Sequence, residues 1–450
     1  MDCADLFKNK RITLLGLGLL GRGVGDAEFL AQCGAQVTVT DKKTEAELAA
    51  SVEKLKQYSN VTFHLGGHDS RDFTDTDLVI KAAGVRLDSP EIAAARAAGV
   101  PVMMSTALFA KYAMEAGAKI VGITGTRGKT TVAHMIHDSL ISAFAKASAD
   151  RRAFLGGNVR GISTLAMLPD VKAGDVVVLE LDSWQLQGFG DLKISPNVAV
   201  FTNLMPDHMN YYDTDMEKYF VDKANIFKYQ KTGDMLVVGD RVADRVRAAH
   251  PPVAPAASQP IPEEWALEIP GEHNRENAAL AAATLTALGL SQEDVREGLE
   301  SFEGVDGRLQ FVRELHGVKI YNDNNATTPE ATIAALRALG KDITLIVGGS
   351  EKGLALEELI SEIKKAVSHI TLLVHQNYQG SERLKKDLDA EGISYTEARD
   401  LQGAVDDAVK SARSGTILFS PAFASFGMFK NEYERNDQFL EIVRKMGGVA

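Results

Sequence analysis

The sequence predicts an α/β protein made of three consecutive α/β domains. Three observations carry that expectation. Strand-like and helix-like runs alternate along the chain, as in successive βαβ units. The runs "DVVVLEL" and "NVAVFTN" are continuously apolar, which suits parallel strands covered on both faces. Glycine-rich turns recur where a strand gives way to a helix: "GLGLLG", "GITGTRGKTT" and "VGGSEKG".

The elements follow in order. "RITLLG" reads as a strand, Val24 to Cys33 as a helix, and "QVTVTD" as the next strand. A charged helical stretch, "LVIKAAG" and a helix from Pro90 to Ala98 complete the first series. A second series begins at "AKIVGITGT" and runs through the two apolar strands. A third starts near Arg308, with "VKIYND", "DITLIVGG", "ITLLVHQ" and "GTILFSPA" separated by helical segments. Boundaries near residues 107 and 304 divide the chain into 1–107, 108–304 and 305–450. The stretch "FAKASADRRA" is small and polar, and "HPPVAPAASQPIP" is so rich in proline that a loop is expected there rather than an internal strand.

Composition narrows the class. The chain has 450 residues, too many for one core, with 45% hydrophobic and 24% charged side chains, as in soluble globular proteins. No apolar run approaches the roughly 20 residues that span a bilayer, and "MDCADLFKNKR" lacks the order of a signal peptide. Cys3 and Cys33 form no CxxC pair, which argues against a disulfide framework or a zinc site. A cytoplasmic protein is expected. The net charge of -12 argues against nucleic acid or an anionic membrane as partner, but small anions need only local cations and backbone N–H groups.

Each glycine loop suggests an anion. In the first, Gly16, Gly18 and Gly21 precede a helix, and Asp41 ends the next strand. That arrangement suits a nucleotide diphosphate at a helix N-terminus, NAD included, so a dehydrogenase is a rival reading beside a plain tight turn. The second loop misses G-x-x-x-x-G-K-[ST], because Ile123 stands where the first glycine belongs. Gly125 and Gly128 still bare the backbone, Lys129 supplies a point charge, and the Thr130 hydroxyl can reach magnesium. The third loop, with Lys352, is as compatible with a surface turn as with an anion.

Magnesium prefers oxygen ligands. Glu180 ends a buried strand, where a carboxylate needs a partner, and Asn203, Asp207 and His208 follow the next strand. Strand C-termini are where parallel α/β sheets bind ligands. Glu180 is therefore read as a metal ligand, whereas His208 by itself reads as a hydrogen-bonded loop histidine.

The motifs "GITGTRGKTT", "ELDSWQL", "NLMPDHMNYY", "GEHNRENAALAAA", "GRL", "NDNNATTPEAT" and "SPAFASFGMFKNEYERN" occur in the order seen in Mur ligases, and the chain resembles that family over nearly its whole length. Those ATP-dependent amide-forming ligases use a T-G-T-x-G-K-T phosphate loop. "TTPEAT" followed by "SPAFASF" resembles the members that add D-glutamate to UDP-N-acetylmuramoyl-L-alanine. The D-N-P-R signature of diaminopimelate-adding relatives is absent, and folylpolyglutamate synthase, with D-G-A-H-N-P, is the runner-up.

The resemblance implies a Rossmann-like UDP-binding first domain, a central ATP-binding domain of phosphate-loop type and a Rossmann-like C-terminal domain for the amino acid. It implies ATP and Mg2+, small-molecule substrates and a monomer. Lys129, Glu180, His208 and Lys223 are then the catalytic set, with Lys223 matching a lysine that these ligases carry as a carbamate. Gly125, Thr126, Gly128, Lys129, Thr130, Thr131, Asn274, Asn277, Arg308 and Asp323 would bind ATP. Thr130, Glu180, His208 and carbamylated Lys223 would hold the metal. Gly18, Leu19, Leu20, Asp41, Lys42, Gly84 and Asn158 would face the UDP substrate. Thr327, Lys352, Ser425 and Phe426 would face D-glutamate. Departures from the family pattern are Asp182 for serine, Asn325 for lysine or threonine, Glu432 for an aromatic and Thr106 for glutamate, and "YERND" lacks a usual glycine. A dehydrogenase leaves the second loop unexplained, and a non-catalytic nucleotide-binding regulator would make Glu180, Lys223 and Lys352 dispensable.

Overall fold

The computed structural model describes residues 3–18, 21–147 and 150–446. They form two compact units: residues up to 260 together with 279–298, and residues 261–278 together with 299 onward.

The first unit holds two sheets. One contains β1 (Arg11–Leu15), β2 (Gln36–Asp41), β3 (Val61–Leu65), β4 (Leu78–Lys81) and β5 (Val102–Met103), in the order β3-β2-β1-β4-β5 with every pair parallel. The other contains β6 (Lys119–Thr124), β7 (Ala153–Gly157), β8 (Val176–Glu180), β9 (Val198–Phe201), β10 (Met235–Val238) and β11 (Pro255–Ala257). Its order is β11-β10-β9-β6-β8-β7, again parallel throughout.

In both sheets the first strand, β1 or β6, lies between later strands on either side. The chain leaving such a strand opens into a crevice at the C-terminal edge, where loops can receive a ligand. The glycine loops "GLGLLG" and "GITGTRGKTT" occupy those two positions. The sheets also share one apolar cluster, from Leu14, Val37 and Leu30 through Leu108 and Phe109 to Val177 and Phe201.

Two details depart from expectation. The proline-rich stretch contributes β11, a three-residue strand, but only at the edge of its sheet, where a missing N–H leaves no ladder bond unmade. Cys33, the buried C-cap residue of the helix Arg22–Gln32, is in a disulfide, which the absence of a CxxC pair had argued against.

The second unit contains β12 (Gln310–Leu315), β13 (Val318–Asn322), β14 (Ile343–Val347), β15 (Val367–Leu373), β16 (Thr396–Ala398) and β17 (Thr416–Phe419). Their order is β12-β13-β17-β14-β15-β16, parallel except for β12. That strand forms an antiparallel hairpin with β13 through His316 and Gly317, both at positive φ (52° and 82°), as a tight two-residue turn requires.

Strand β6 tolerates no side chain at its centre. A Cβ on Gly122 would lie 2.4 Å from Pro196 Cγ and 3.1 Å from Leu181 Cδ1. Overpacking of this kind costs about 1–3 kcal/mol or more. Gly122→Val is expected to lower the urea unfolding midpoint accordingly, and an unchanged midpoint would show that the strand has room to shift.

Candidate active site

The loop after β6 is held by the strand beside it. Asn203, just past β9, accepts Thr126 N–H at its carbonyl (3.0 Å) and Arg127 N–H at Oδ1 (2.9 Å), and donates from Nδ2 to the Arg127 carbonyl. Thr126 Oγ1 donates to the Met205 carbonyl (3.0 Å) and receives Met205 N–H (2.9 Å). Gly125 is required: φ is 141° and a Cβ there would fall 1.9 Å from Thr202 Oγ1. Gly128, at φ 82°, turns the chain into the helix Lys129–Lys146, whose first turn carries Lys129, Thr130 and Thr131. Helix N-termini present unpaired N–H groups to anions. Lys129 Nζ folds back onto the carbonyls of Gly125 and Thr126, 3.1 Å from each.

The flanking strands bring the acidic and basic partners. Glu180, buried at the end of β8, pairs in register with Ile123. Its Oε1 accepts a hydrogen bond from Asn158 Nδ2 at 3.3 Å, and its carbonyl accepts Asn158 N–H at 2.7 Å. Asn158 Oδ1 in turn accepts from the Arg22 guanidinium at 2.9 Å. Lys223, 1% exposed on the helix Met216–Ala224, donates to Gly125 O (2.8 Å) and Thr124 Oγ1 (3.3 Å), and its ammonium lies 4.8 Å from the Tyr219 ring centre. Burial, reinforced by the charge of Lys129, pushes the Lys223 pKa well below the ordinary lysine value. His208 is accessible, has positive φ (55°), and lies against Trp184 with ring centres 4.7 Å apart and the planes tilted by 50°.

The first glycine loop is fastened by Asp41. Its Oδ2 accepts the N–H groups of Leu17 (2.9 Å) and Gly18 (3.3 Å), while Oδ1 accepts that of Lys43 (2.9 Å). Lys42 is exposed. A cavity of about 210 Å³ is lined by Gly18, Arg22, Asp26, Gly84, Thr106 and neighbours. Leu19 and Leu20 lie outside the described residues.

The second unit gathers its own set. Lys352 Nζ donates to Thr327 Oγ1 at 3.0 Å. Asp323 accepts Leu309 N–H (3.1 Å) and the Ser420 hydroxyl (2.8 Å). Arg308 carries a buried Nε without a hydrogen-bond partner in this arrangement. Asn277 donates to Asn274 Oδ1 at 3.3 Å at the start of the helix Glu272–Ala287. Ser425 is buried, its carbonyl accepting from Tyr378, while the Phe426 side chain is exposed and its carbonyl accepts from Ser350. Arg435, fully buried, grips Asn324 Oδ1 (2.8 Å), Asn324 O (2.9 Å) and Phe423 O (3.3 Å), and burial lowers its pKa to about 10.

Sequence reasoning missed Arg22, Trp184 and Arg435. A cation directly after an anion-binding glycine loop was the available signal for Arg22; Trp184 and Arg435 lie in the motifs "ELDSWQL" and "KNEYERN" but were given no role of their own. The departures have local reasons. Asp182 caps the helix Ser183–Leu192 with a reciprocal Gln185 bond, and Gln185 Nε2 donates to Thr106 Oγ1 at 3.2 Å. Asn325 Nδ2 donates to the Asp306 carbonyl. Glu432 meets Asn324 through its backbone carbonyl, so its side-chain type is not used there.

Burial lifts the Asp323 pKa from 3.8 to about 7 against the Ser420 and Leu309 bonds and the charge of Arg308. Between those values the folded chain keeps a proton that the unfolded chain has lost, so stability falls as pH rises through that window. Asp323→Asn is expected to lose less stability between about pH 4 and pH 7 than the parent, by urea midpoints. Parallel pH profiles would mean that Asp323 ionises normally.

Three family models match the chain: "Mur ligase MurD-like, N-terminal domain" over residues 10–104, "Mur ligase middle domain" over 123–253, and "Mur ligase, glutamate ligase domain" over 307–423. The UDP-N-acetylmuramoylalanine–D-glutamate ligase of Roseiflexus sp. is 35% identical, over 96% of this chain and 98% of the relative. The protein of that name from Clostridium tetani is 31% identical over 97% of each. Among solved structures, the UDP-N-acetylmuramate–alanine ligase MurC of Thermotoga maritima has a TM-score of 0.63 at 21% identity, covering 97% of this chain and 99% of that one. MurF of Thermotoga maritima in complex with ADP has a TM-score of 0.58 at 17% identity, covering 98% and 96%. The structural likenesses speak for the fold and the sequence matches for descent: the chain belongs to the Mur ligase family.

Proposed function

We propose that the chain joins D-glutamate to UDP-N-acetylmuramoyl-L-alanine with conversion of ATP to ADP and phosphate. The observation that carries this is the meeting of Lys129, Lys223, Glu180 and Asn158 at the β6 loop. The substrate carboxylate attacks the ATP γ-phosphorus and ADP leaves. The D-glutamate amine then attacks the acyl carbon of the resulting acyl phosphate, and phosphate leaves as the amide forms. Both steps bring anions together, so fixed cations and N–H dipoles in a water-poor site are the main help a protein can give. Lys129 and the loop N–H groups neutralise the transferring phosphoryl group. Thr327 and Lys352 anchor D-glutamate by a hydroxyl and an ammonium, with Ser425 and the Phe426 backbone completing the pocket.

The residues fit Mg2+. Glu180 is buried and receives a neutral amide donor, and its carboxylate and the Thr130 hydroxyl both offer the hard oxygen that Mg2+ prefers. Among the described residues no three His, Cys, Asp or Glu side chains gather into a metal site, so most ligands would be phosphate and water oxygens, as Mg2+ prefers. Bound there, Mg2+ would withdraw charge from the phosphoryl oxygens. His208 and Lys223 complete the proposed set. With its pKa lowered, Lys223 can give up its proton and attack carbon dioxide as the neutral amine, and loss of a second proton leaves a carbamate anion. First-loop glycines, Gly84 and Asn158 would receive the UDP substrate, and Asn274, Asn277, Arg308 and Asp323 the ATP. The reading includes domain boundaries near 107 and 304 and a cytoplasmic monomer acting on small molecules.

The test is product mass with UDP-N-acetylmuramoyl-L-alanine, ATP and each amino acid in competition. D-glutamate is expected to be incorporated, and L-glutamate and diaminopimelate rejected. Equal use of both enantiomers, or extension of a folate, would overturn the assignment. Lys129→Ala is expected to lose about 100- to 1000-fold in kcat with the fold retained. Lys352→Ala is expected to raise the KM for D-glutamate far more than that for ATP.

A further inference from the structure

We infer that Arg22 is a positioning residue for phosphoryl transfer: it fixes the Asn158 carboxamide and, through it, the Glu180 carboxylate. The inference rests on the ligase reading for the identity of the reaction. The contacts themselves are independent of that reading.

A carboxamide can turn either end toward a neighbour, and the two ends have opposite polarity. The Asn158 backbone is pinned beside Glu180 by its N–H bond to the Glu180 carbonyl. Its side chain could therefore present oxygen or nitrogen to the Glu180 carboxylate. Oxygen against carboxylate oxygen is repulsive. A guanidinium only donates, so Arg22 NH1 at 2.9 Å from Oδ1 selects the orientation that sends Nδ2 to Glu180 Oε1. One carboxylate oxygen is thereby engaged by a neutral donor, and the other keeps its lone pairs.

Arg22 is itself held in place. It is the first residue of the helix Arg22–Gln32, after left-handed Gly21. One turn on, Asp26 is buried and accepts the Ser163 hydroxyl at 2.6 Å. A Cβ on Gly25 would lie 2.6 Å from Ser163 Cβ, so helix and segment meet with no side chain between them. The arginine thus starts from a clamped base and is half-buried. It also lines the cavity with Gly18 and Gly84, so one cation faces the first anion loop while it orients the second site.

The test uses Mn2+ as probe in the presence of ADP, with free Mn2+ read by electron paramagnetic resonance. Removing an outer partner of a metal ligand typically costs about 10- to 100-fold in metal affinity. Arg22→Leu is expected to weaken Mn2+ binding about tenfold, toward the low end of that range because it acts through Asn158. Arg22→Lys, which keeps a donor for Oδ1, is expected to recover most of the loss. Arg22→Leu added to Asn158→Ala is expected to cost nothing further. Parental Mn2+ affinity in folded Arg22→Leu, or a full additional loss on top of Asn158→Ala, would overturn the inference. A lowered Tm in Arg22→Leu with Mn2+ binding unchanged would make the arginine a structural fastener only, and would overturn it equally. If Arg22→Leu does not fold, Arg22→Gln, which can also offer Oδ1 a donor, must bind Mn2+ like Arg22→Lys for the inference to stand. Failure of the parent to ligate D-glutamate would refute the assigned reaction, while the Mn2+ titrations would still judge Arg22.

Discussion

Two lysine side chains share one carbonyl oxygen. Lys129 and Lys223 both donate to Gly125 O, at 3.1 and 2.8 Å. That oxygen, the Thr126 carbonyl and Thr124 Oγ1 divide the donors between them, and the proximity of Lys129 is one reason the Lys223 pKa is lowered. The Gly125 backbone must be bare on its other side, where Thr202 leaves no space for a methyl group. Fixing this one peptide thus fixes the glycine, the β9 end that supports it, and the two helices that deliver the lysines. A cation at Lys129 over a loop of N–H groups is a state that a bound polyphosphate stabilises, since an anion there lowers the energy of the charge.

The parallel sheet is what makes that convergence possible. Strands β6, β8 and β9 end side by side, so residues far apart in the chain arrive within hydrogen-bonding distance. Glu180 and Asn203 need no long loops to reach the site; the register of the strands carries them there. Buried polar groups with definite partners are also what give such a site one geometry rather than several.

Much of this was legible in the sequence. "GITGTRGKTT" named the anion loop because glycine, lysine and threonine at a strand-to-helix junction have a local physical purpose. The unbroken apolar strands signalled a covered parallel sheet, and Glu180 stood out as a carboxylate at the end of one. The illegible part was relational. Arg22 meets Asn158 across 136 residues, and no periodicity encodes such a pair. The Asp41 carboxylate fastens the backbone of its own loop, a role set by a turn that the pattern of glycines does not specify. Strand β12 was missed because its "QFVREL" is half-exposed and carries no clean alternation. The departures at Thr106 and Asp182 belong to one hydrogen-bonded corner with Gln185, so the residues are understandable together and anomalous only when taken singly.

Arg435 has no carboxylate among the three oxygens it grips, and those oxygens belong to two different loops. The segment leading to Thr327 and the segment leading to Ser425 are therefore riveted to a single interior cation. The amino-acid pocket proposed for these segments would have little freedom left to surrender on binding, and equally little capacity to adjust its outline. Under the proposed assignment its discrimination would be that of a mould rather than a glove: a mirror-image amino acid would meet walls already set, and be turned away by misfit instead of being bound more weakly in a reshaped cavity.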